Sequence, residues 1–231
     1  MSKKNNLFVN EWNDSFKNKQ NFLFYPNEEI IKFINKYHKK YDPFAKKSKL
    51  SPKALDFGFG SGRHIKYLVD NGFFGYGIDI SSQAKKLANK FLNLNKIKKK
   101  NFKLIINKKD NIINIPSNHI DICISHGTLD SMTLNNAKIV SNEIYKVLKK
   151  GSFFYCDLIS TEVARVGKKF RGSENQIIVN EDHEKGTIQS FFNVKSIKEL
   201  FHQFKIIEIY KKKIYRKNLI QDSRYHIILQ K

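Results

Sequence analysis

The feature that most constrains the fold of this chain is a glycine-rich turn at residues 58–62. Residues 55–62 read Leu-Asp-Phe-Gly-Phe-Gly-Ser-Gly, which predicts a strand entering a sharp turn that leads into a helix. The dinucleotide fingerprint G-x-G-x-x-G would need a glycine at the position of Arg63. A P-loop would need Lys and Ser or Thr after the last glycine, whereas Arg63 and His64 follow Gly62. The turn therefore predicts a backbone that binds a ligand without either of these phosphate-binding motifs.

An acidic residue closes the next predicted strand. Residues 73–80 read Phe-Phe-Gly-Tyr-Gly-Ile-Asp-Ile, and Asp79 lies 19 residues past Gly60. A carboxylate about 20 residues after such a turn is placed to accept hydrogen bonds from the two hydroxyls of a ribose. The alternative role for Asp79 is a helix N-cap. The pair of features favours a nucleoside ligand with a free ribose.

The D-x-G-x-G-x-G turn with its downstream acid resembles motif I of the class I S-adenosylmethionine (SAM) methyltransferases. The resemblance runs from about residue 50 to the end of the chain and implies SAM as cofactor, with S-adenosylhomocysteine as product. Residues 109–116, Lys-Asp-Asn-Ile-Ile-Asn-Ile-Pro, resemble a Gly-Asp-x-x-x-x-Leu-Pro stretch of the family, with Lys109 in place of its glycine. The cofactor contacts that we expect are Asp56, Phe57, Gly58, Gly60, Arg63, Asp79, Ile80, Asp110, Asn111, Ser125 and His126.

Strand and helix patterns alternate regularly after residue 53, which predicts an α/β fold. The expected strands are 54–57, 74–80, 102–106, 120–125, 153–158, 206–210 and 225–229, with later helices at about 135–149 and 196–204. The resemblance implies a Rossmann-like, seven-stranded, mostly parallel sheet with an antiparallel last strand and helices on both faces. We expect a SAM-binding domain over residues 51–231, with a polar, substrate-covering insertion at about 160–190.

The N-terminal segment has its own signature. Residues 25–28, Tyr-Pro-Asn-Glu, and Trp12 resemble a group of small bacterial methyltransferases in which N-terminal helices fold over the SAM pocket. The resemblance implies that residues 1–50 form a helical lid. Tyr25 and His126 are the candidate catalytic residues, and Tyr25, Arg63 and His183 are the candidate contacts to the methyl acceptor. The alternative for Tyr25 and His126 is that their side chains only pack against the cofactor or the lid. The alternative for His183 is a surface position without a function.

The net charge of +22 invites a nucleic-acid partner, but only five of the 43 basic residues are arginine. Lysine-covered solvated faces explain the excess more simply. Residues 125–128, Ser-His-Gly-Thr, also differ from the Asp/Asn-Pro-Pro-Tyr/Phe motif of the amino-methylating nucleic-acid enzymes. We therefore expect a small-molecule methyl acceptor, with an RNA or other nucleic-acid methyltransferase as the alternative and a non-catalytic SAM-binding regulator as a third class.

Location and further partners follow from composition. No run approaches the ~18 apolar residues of a membrane helix, and the N-terminus has no apolar signal core. The two cysteines, Cys123 and Cys156, fall in predicted buried strands and indicate reduced thiols. We expect a cytoplasmic protein without a metal site. The sequence specifies neither the acceptor nor the oligomeric state.

Overall fold

A computed structural model of the protein describes residues 8–38, 51–107, 113–163 and 175–231. Helices and strands alternate through most of these ranges. The helices are α1 (Val9–Lys17), α2 (Glu28–Tyr37), α3 (Arg63–Asp70), α4 (Ser82–Leu94), α5 (Leu134–Val147) and α6 (Val194–Leu200). The strands are β1 (Lys53–Phe57), β2 (Phe74–Asp79), β3 (Phe102–Ile106), β4 (Ile120–Ser125), β5 (Leu148–Ile159), β6 (Gln176–Ile178), β7 (Ile188–Ser190), β8 (Lys205–Arg216) and β9 (Leu219–Gln230).

Seven of these strands form one sheet in the order β3-β2-β1-β4-β5-β9-β8. The first five are parallel neighbours, and β9 runs antiparallel to both β5 and β8. The predicted Rossmann-like sheet with an antiparallel last strand is thus confirmed. The chain order reverses between β1 and β4, and open α/β sheets bind ligands beyond the carboxyl ends of their strands at such a point.

Both faces of the sheet are covered because side chains alternate along its central strands. On β5, Phe154 and Cys156 pack with α5 and α6, whereas Tyr155 packs with α2 and α3 on the opposite face. On β4, Cys123 shares the first face and Ile124 the second. Both cysteines are buried and unpaired. A third apolar cluster joins α1, α3 and α4 beside the edge formed by β3.

Polar side chains cap the N-termini of α2 and α4. The Asn27 side chain accepts from the backbone N–H of Glu29 at 2.9 Å and begins α2. The Ser81 hydroxyl accepts from the N–H of Ala84 at 3.1 Å and begins α4. Each bond satisfies one of the backbone donors that a helix leaves without a partner in its first turn. These caps fix where the elements beside the glycine turn begin.

Several element boundaries differ from the prediction. The helix expected at about 135–149 ends at Val147, and Leu148 already pairs with Ile120 of β4 at the start of β5. The strands β8 and β9 form a hairpin of 12 residues on each side, well beyond the apolar cores at 206–210 and 225–229. Charged and polar residues interrupt the apolar residues of this extension, so the apolar pattern did not reveal it. The helix expected at 196–204 spans 194–200, where Asn193 and Ser196 form a capping box.

The insertion after β5 carries local structure that the sequence did not predict. The strands β6 and β7 pair as a short antiparallel sheet, with a 3₁₀ helix (Asp182–Glu184) between them. Phe191 and Val163 help to bury an apolar cluster beneath this insertion. The segment is therefore packed on the main sheet through its described residues.

Candidate active site

The glycine turn joins β1 to α3, and all three of its glycines have a positive φ: 84° at Gly58, 50° at Gly60 and 83° at Gly62. A Cβ at Gly58 would lie 2.0 Å from the Thr128 hydroxyl oxygen, and one at Gly62 would lie 2.9 Å from the Ala88 Cβ. The turn thus packs directly against the loop after β4 and against α4. Glycine is required there both for backbone conformation and for close approach to protein atoms.

A cavity of about 250 Å³ opens beside this turn, at the carboxyl ends of β1, β2 and β4. Its walls comprise residues 57–61, 78–80 and 126–128. Trp12 and Phe16 of α1, Arg224 of β9 and Glu184 of the insertion also line it. The cavity therefore draws on the parallel sheet, the N-terminal helix and the insertion together.

Asp79 ends β2 at the wall of this cavity. One carboxylate oxygen, Oδ2, accepts from the N–H of Gly60 at 2.9 Å, and Oδ1 accepts from the N–H of Ser81 at 2.8 Å. Desolvation nevertheless raises the pKa of this carboxyl to about 6, because burial penalises the charged form more than the backbone donors stabilise it. The carboxylate is held rigidly between the glycine turn and the start of α4.

Asp56 lies behind the turn, fully buried on β1. Neither of its carboxylate oxygens has a hydrogen-bond partner among the described residues, and His64 Nδ1 is 3.9 Å from Oδ2. The other ring nitrogen of His64, Nε2, accepts from the N–H of Asn27 at 3.3 Å. His64 therefore connects the start of α2 to the carboxylate beneath the turn.

A buried cluster of charges occupies the next part of the sheet edge. The Arg224 guanidinium contacts Asp157 at 2.7 Å and Asp130 at 3.0 Å, and both carboxylates are inaccessible to solvent. His126 Nε2 lies 3.7 Å from Asp157 Oδ2. Burial lowers the pKa of His126 to about 4, whereas it raises the pKa of Asp130 to about 6. Burial also opposes ionisation of Asp157, but His126 and Arg224 outweigh it and lower the pKa of that carboxyl.

Arg63 begins α3 and lines the cavity. Its Nη1 donates to the carbonyl oxygen of Tyr25 at 3.2 Å, and it forms no ion pair with any acidic residue in the described ranges. Burial lowers the pKa of this guanidinium, although it stays charged at neutral pH. A half-buried cation without a carboxylate partner is suited to bind an anionic group of a ligand.

Helix α1 and the insertion meet above the cavity. The Ser15 hydroxyl and the Asn21 side-chain amide both donate to the backbone carbonyl of His183, at 2.5 and 3.1 Å. At the other end, the Ser81 hydroxyl contacts the Asn13 side-chain oxygen at 2.8 Å. We call α1 together with residues 182–184 the roof.

The structure places the predicted site residues in three groups. Those that line the cavity are Phe57, Gly58, Gly60, Arg63, Asp79, Ile80 and His126. Asp56 and Ser125 are buried behind its wall. Tyr25 is 85% exposed, and only its carbonyl reaches Arg63. The His183 side chain is also exposed, and its neighbour Glu184 lines the cavity instead. Asp110 and Asn111 lie outside the described residues.

Sequence reasoning missed several residues of this site. The sequence patterns assign no role to His64, Asp130, Asp157 or Arg224. For Asp157 a signal existed, because a carboxylate near the carboxyl end of a predicted buried parallel strand points toward the ligand edge. Arg224 carries no such signal, since it precedes the predicted strand at 225–229 by one residue.

Within the described ranges, no group of three or more His, Cys, Asp and Glu side chains is arranged to hold a metal ion. The same ranges contain no helix with the length and apolar character needed to cross a bilayer.

Comparison with known proteins identifies the kind of domain. Residues 55–156, from the glycine turn to β5, match the family model described as a methyltransferase domain. No curated protein matches the sequence of this chain. The fold and the matched segment together define a methyltransferase. Its cofactor is S-adenosylmethionine.

Solved structures share the whole architecture at low sequence identity. A SAM-dependent methyltransferase from Methanosarcina mazei is 20% identical, with a TM-score of 0.65 over 86% of this chain and 96% of that chain. One from Anabaena variabilis is 14% identical, with a TM-score of 0.64 over 97% and 93%. One from Clostridium acetobutylicum is 13% identical, with a TM-score of 0.62 over 96% and 91%. At these identities the likeness establishes the fold.

The site fits the cofactor on its own chemistry. The carboxylate of Asp79 at the cavity wall and the guanidinium of Arg63, which has no carboxylate partner in the described ranges, are groups that a nucleoside carrying an amino acid would satisfy. The buried Asp56 carboxylate lies behind the glycine turn and adds negative charge beneath it. Ile80 adds an apolar surface beside Asp79. A sulfonium nucleoside with a charged amino-acid tail therefore matches the charged and hydrogen-bonding groups that line this cavity.

Proposed function

We propose that this methyltransferase acts on a small-molecule acceptor bound in the cavity under the roof. The observation that carries the proposal is the cavity itself. Residues of α1 and Glu184 line one side of it, and the Ser15 hydroxyl of α1 and the Asn21 amide just after α1 both donate to the backbone carbonyl of His183. The acceptor has to share this cavity with the cofactor, and the packed roof limits the remaining space, which suits a small organic molecule better than an extended polymer.

We assign cofactor roles to the predicted residues around the turn. Asp79 would hold the ribose hydroxyls, and Ile80 would pack on the adenine. The backbone of residues 57–60, with Asp56 beneath it, would border the methionine part, and Arg63 would pair with its carboxylate or with one on the acceptor. When bound, SAM supplies a methyl group already activated by its sulfonium, so the protein chiefly aligns donor and acceptor.

His126 is the residue that we propose to contact the acceptor as a general base. It lines the cavity next to Thr128, and its low pKa keeps the imidazole neutral at physiological pH. A neutral imidazole is able to take a proton. We propose no side-chain role in catalysis for Tyr25 or in acceptor binding for His183, because both side chains are exposed away from the cavity lining.

The domain assignment follows the same logic. We propose that residues 1–50 act as a lid, and that the insertion at about 160–190 helps to cover the acceptor. Support comes from Trp12 and Phe16, which line the cavity from α1, and from Glu184, which lines it from the insertion.

The lysine-rich hairpin does not favour a nucleic-acid acceptor. Lys211 and Lys213 both pair with Glu162, and Lys212 pairs with the buried Glu29. These cations are therefore partly neutralised within the protein, which weakens their attraction for a phosphate backbone.

The proposal is tested by supplying methyl-labelled SAM together with either the small-molecule fraction of a cell extract or total RNA. We expect label in the small-molecule fraction, dependent on the enzyme and reduced in Asp79→Ala. Asp70→Ala, which alters an exposed residue at the end of α3, is the matched control. Label in RNA alone would show that the alternative acceptor is correct, and failure to label either pool would favour a SAM-binding regulator.

A further inference from the structure

Three side chains from neighbouring strands form a connected unit at the cavity. His126 follows β4, Asp157 lies on β5 and Arg224 on β9. Asp157 is fully buried, and its two oxygens are shared among three groups. Oδ1 accepts from the N–H of Gly127 at 2.7 Å, while Oδ2 contacts Arg224 at 2.7 Å and His126 Nε2 at 3.7 Å. His126 and Arg224 both line the cavity, whereas Asp157 lies beneath them.

We propose that Asp157 and Arg224 are positioning residues that hold the His126 ring with its proton on Nε2, leaving Nδ1 to accept a proton from the methyl acceptor. This inference rests on the proposed function, in which His126 contacts the acceptor. It extends that function to the chemical class of the acceptor, which is a hydroxyl, amine or thiol that loses a proton when it is methylated.

The geometry favours this tautomer. A carboxylate accepts hydrogen bonds and does not donate them, so the nitrogen that faces Asp157 is the one that carries the proton. The distance of 3.7 Å is longer than a hydrogen bond, and catalytic pairs in ligand-free enzymes are often loose in this way. The N–H of Gly127 and the Arg224 guanidinium hold Asp157 from its other sides and fix the direction of its oxygens.

The surrounding charges fit a base that is neutral at rest and stabilised once protonated. Besides Asp157, the charged or titratable groups facing His126 are His64, Arg63 and Arg224. The His64 and His126 rings lie 5.7 Å apart, edge to face. The two arginines oppose a positive imidazole, and Asp157 stabilises it. Asp157 is thus the one group in this set of four that supports the imidazolium formed during the reaction.

The proton balance defines the acceptor class. The acceptor heteroatom forms a bond to the methyl carbon as the carbon–sulfur bond breaks and its electron pair remains on sulfur. The proton of that heteroatom passes to Nδ1 of His126. An acceptor carboxylate has no proton to lose at neutral pH, so it would not need this arrangement.

The competing explanation is structural, because the Arg224 pairs also tie β9 to β5 and to the loop after β4. A purely structural role predicts no defined tautomer for His126. The tautomer is therefore the property that separates the two explanations.

The tautomer of His126 is measured directly by two-bond proton–nitrogen NMR spectra of ¹⁵N-labelled protein at pH 7, with S-adenosylhomocysteine added. The chain has seven histidines, and loss of one signal set in His126→Gln assigns the relevant ring. We expect the Nε2–H form in the wild type and a shift toward the Nδ1–H form in Asp157→Asn, whose amide can donate to Nε2. Asp70→Asn, an exposed change at the end of α3, is the matched control and should leave the tautomer unchanged.

An Nδ1–H ring in the wild type would overturn the proposal, and this measurement needs no folded Asp157 variant. Activity provides a second readout, using a phenol, a primary amine, a thiol and a carboxylic acid as acceptor probes. Methylation of one of the first three, reduced about tenfold or more in kcat by Asp157→Asn at unchanged S-adenosylhomocysteine affinity, would support it. Methylation confined to the carboxylic acid, or undiminished in Asp157→Asn, would overturn it. Discovery of an RNA acceptor would refute the proposed function and leave the tautomer result standing.

Discussion

Ionisation of Asp79 should control the pH dependence of cofactor binding. The pKa of this carboxyl is raised to about 6 by desolvation, and ribose hydroxyls bind the ionised form more strongly. At pH 5 only about one molecule in eleven carries the charge. We therefore expect S-adenosylhomocysteine to bind about tenfold more weakly at pH 5 than at pH 8.

Stability of the ligand-free protein should change in the opposite direction. Because the folded pKa of Asp79 lies above its ordinary value of 3.8, folding favours the protonated form. This contribution is fully present below about pH 4 and is lost as the pH rises through about 6. Because S-adenosylhomocysteine binds more weakly at pH 5, adding it should raise the melting temperature more at pH 8 than at pH 5.

Isothermal titration of S-adenosylhomocysteine between pH 5 and pH 8, at constant ionic strength, measures the effect. In Asp79→Asn we expect a flat pH profile and, at pH 8, about tenfold or more weaker binding, since hydrogen bonds to a charged group contribute about 1.5–3 kcal/mol. Asp70→Asn, on the surface at the end of α3, should behave like the wild type. A wild-type affinity that does not change with pH, or an Asp79→Asn protein that keeps the tenfold change, would refute the reasoning.

Three further predictions concern stability, each measured by urea unfolding. Gly58→Ala should lower the free energy of unfolding by about 2–4 kcal/mol, because its Cβ would overlap Thr128. Gly151→Ala has a similar positive φ and open space around it, so it should lower that free energy by only about 1 kcal/mol. Equal losses in the two variants would contradict this reasoning. Arg224→Met should lower the free energy of unfolding by about 3–5 kcal/mol, because it leaves two buried carboxylates without their cation. Arg216→Met, at the exposed end of the hairpin, should change it by under about 0.5 kcal/mol, and similar effects of the two would argue against the buried cluster. Asn27→Ala should cost about 1 kcal/mol through loss of the α2 cap, and an unchanged midpoint would count against that cap.

Local sequence patterns were sufficient to locate the strands of the main sheet, and the resemblance to the methyltransferases supplied the antiparallel last strand. Alternating apolar residues marked each buried strand, and the glycine turn with Asp79 located the ligand edge, because these signals depend only on neighbours along the chain. The same patterns placed His126 at that edge. They ended too early at β8 and β9, where lysines and other polar residues interrupt the apolar pattern although the strands continue.

The remainder of the site depends on contacts between distant residues. Arg224 meets Asp157 from 67 positions away, and Asn27 meets His64 across 37. Nothing in the composition of either neighbourhood specifies such a partner. Tyr25 shows a different reason for a missed position, since Arg63 binds its carbonyl and leaves its ring in solvent. A side-chain pattern carries no information about which residues are used through their backbone.

The joint between α1 and the insertion has a consequence for how this protein can diverge. The hydrogen bonds from Ser15 of α1 and from Asn21 just after it both end on the main-chain oxygen of His183, an atom that every amino acid possesses. Replacement of His183 therefore leaves these hydrogen bonds in place, whereas replacement of Glu184 changes a side chain that lines the cavity. Substitutions at positions 183 and 184 can therefore change the specificity of the cavity during evolution while the hydrogen bonds to the main-chain oxygen of residue 183 are kept.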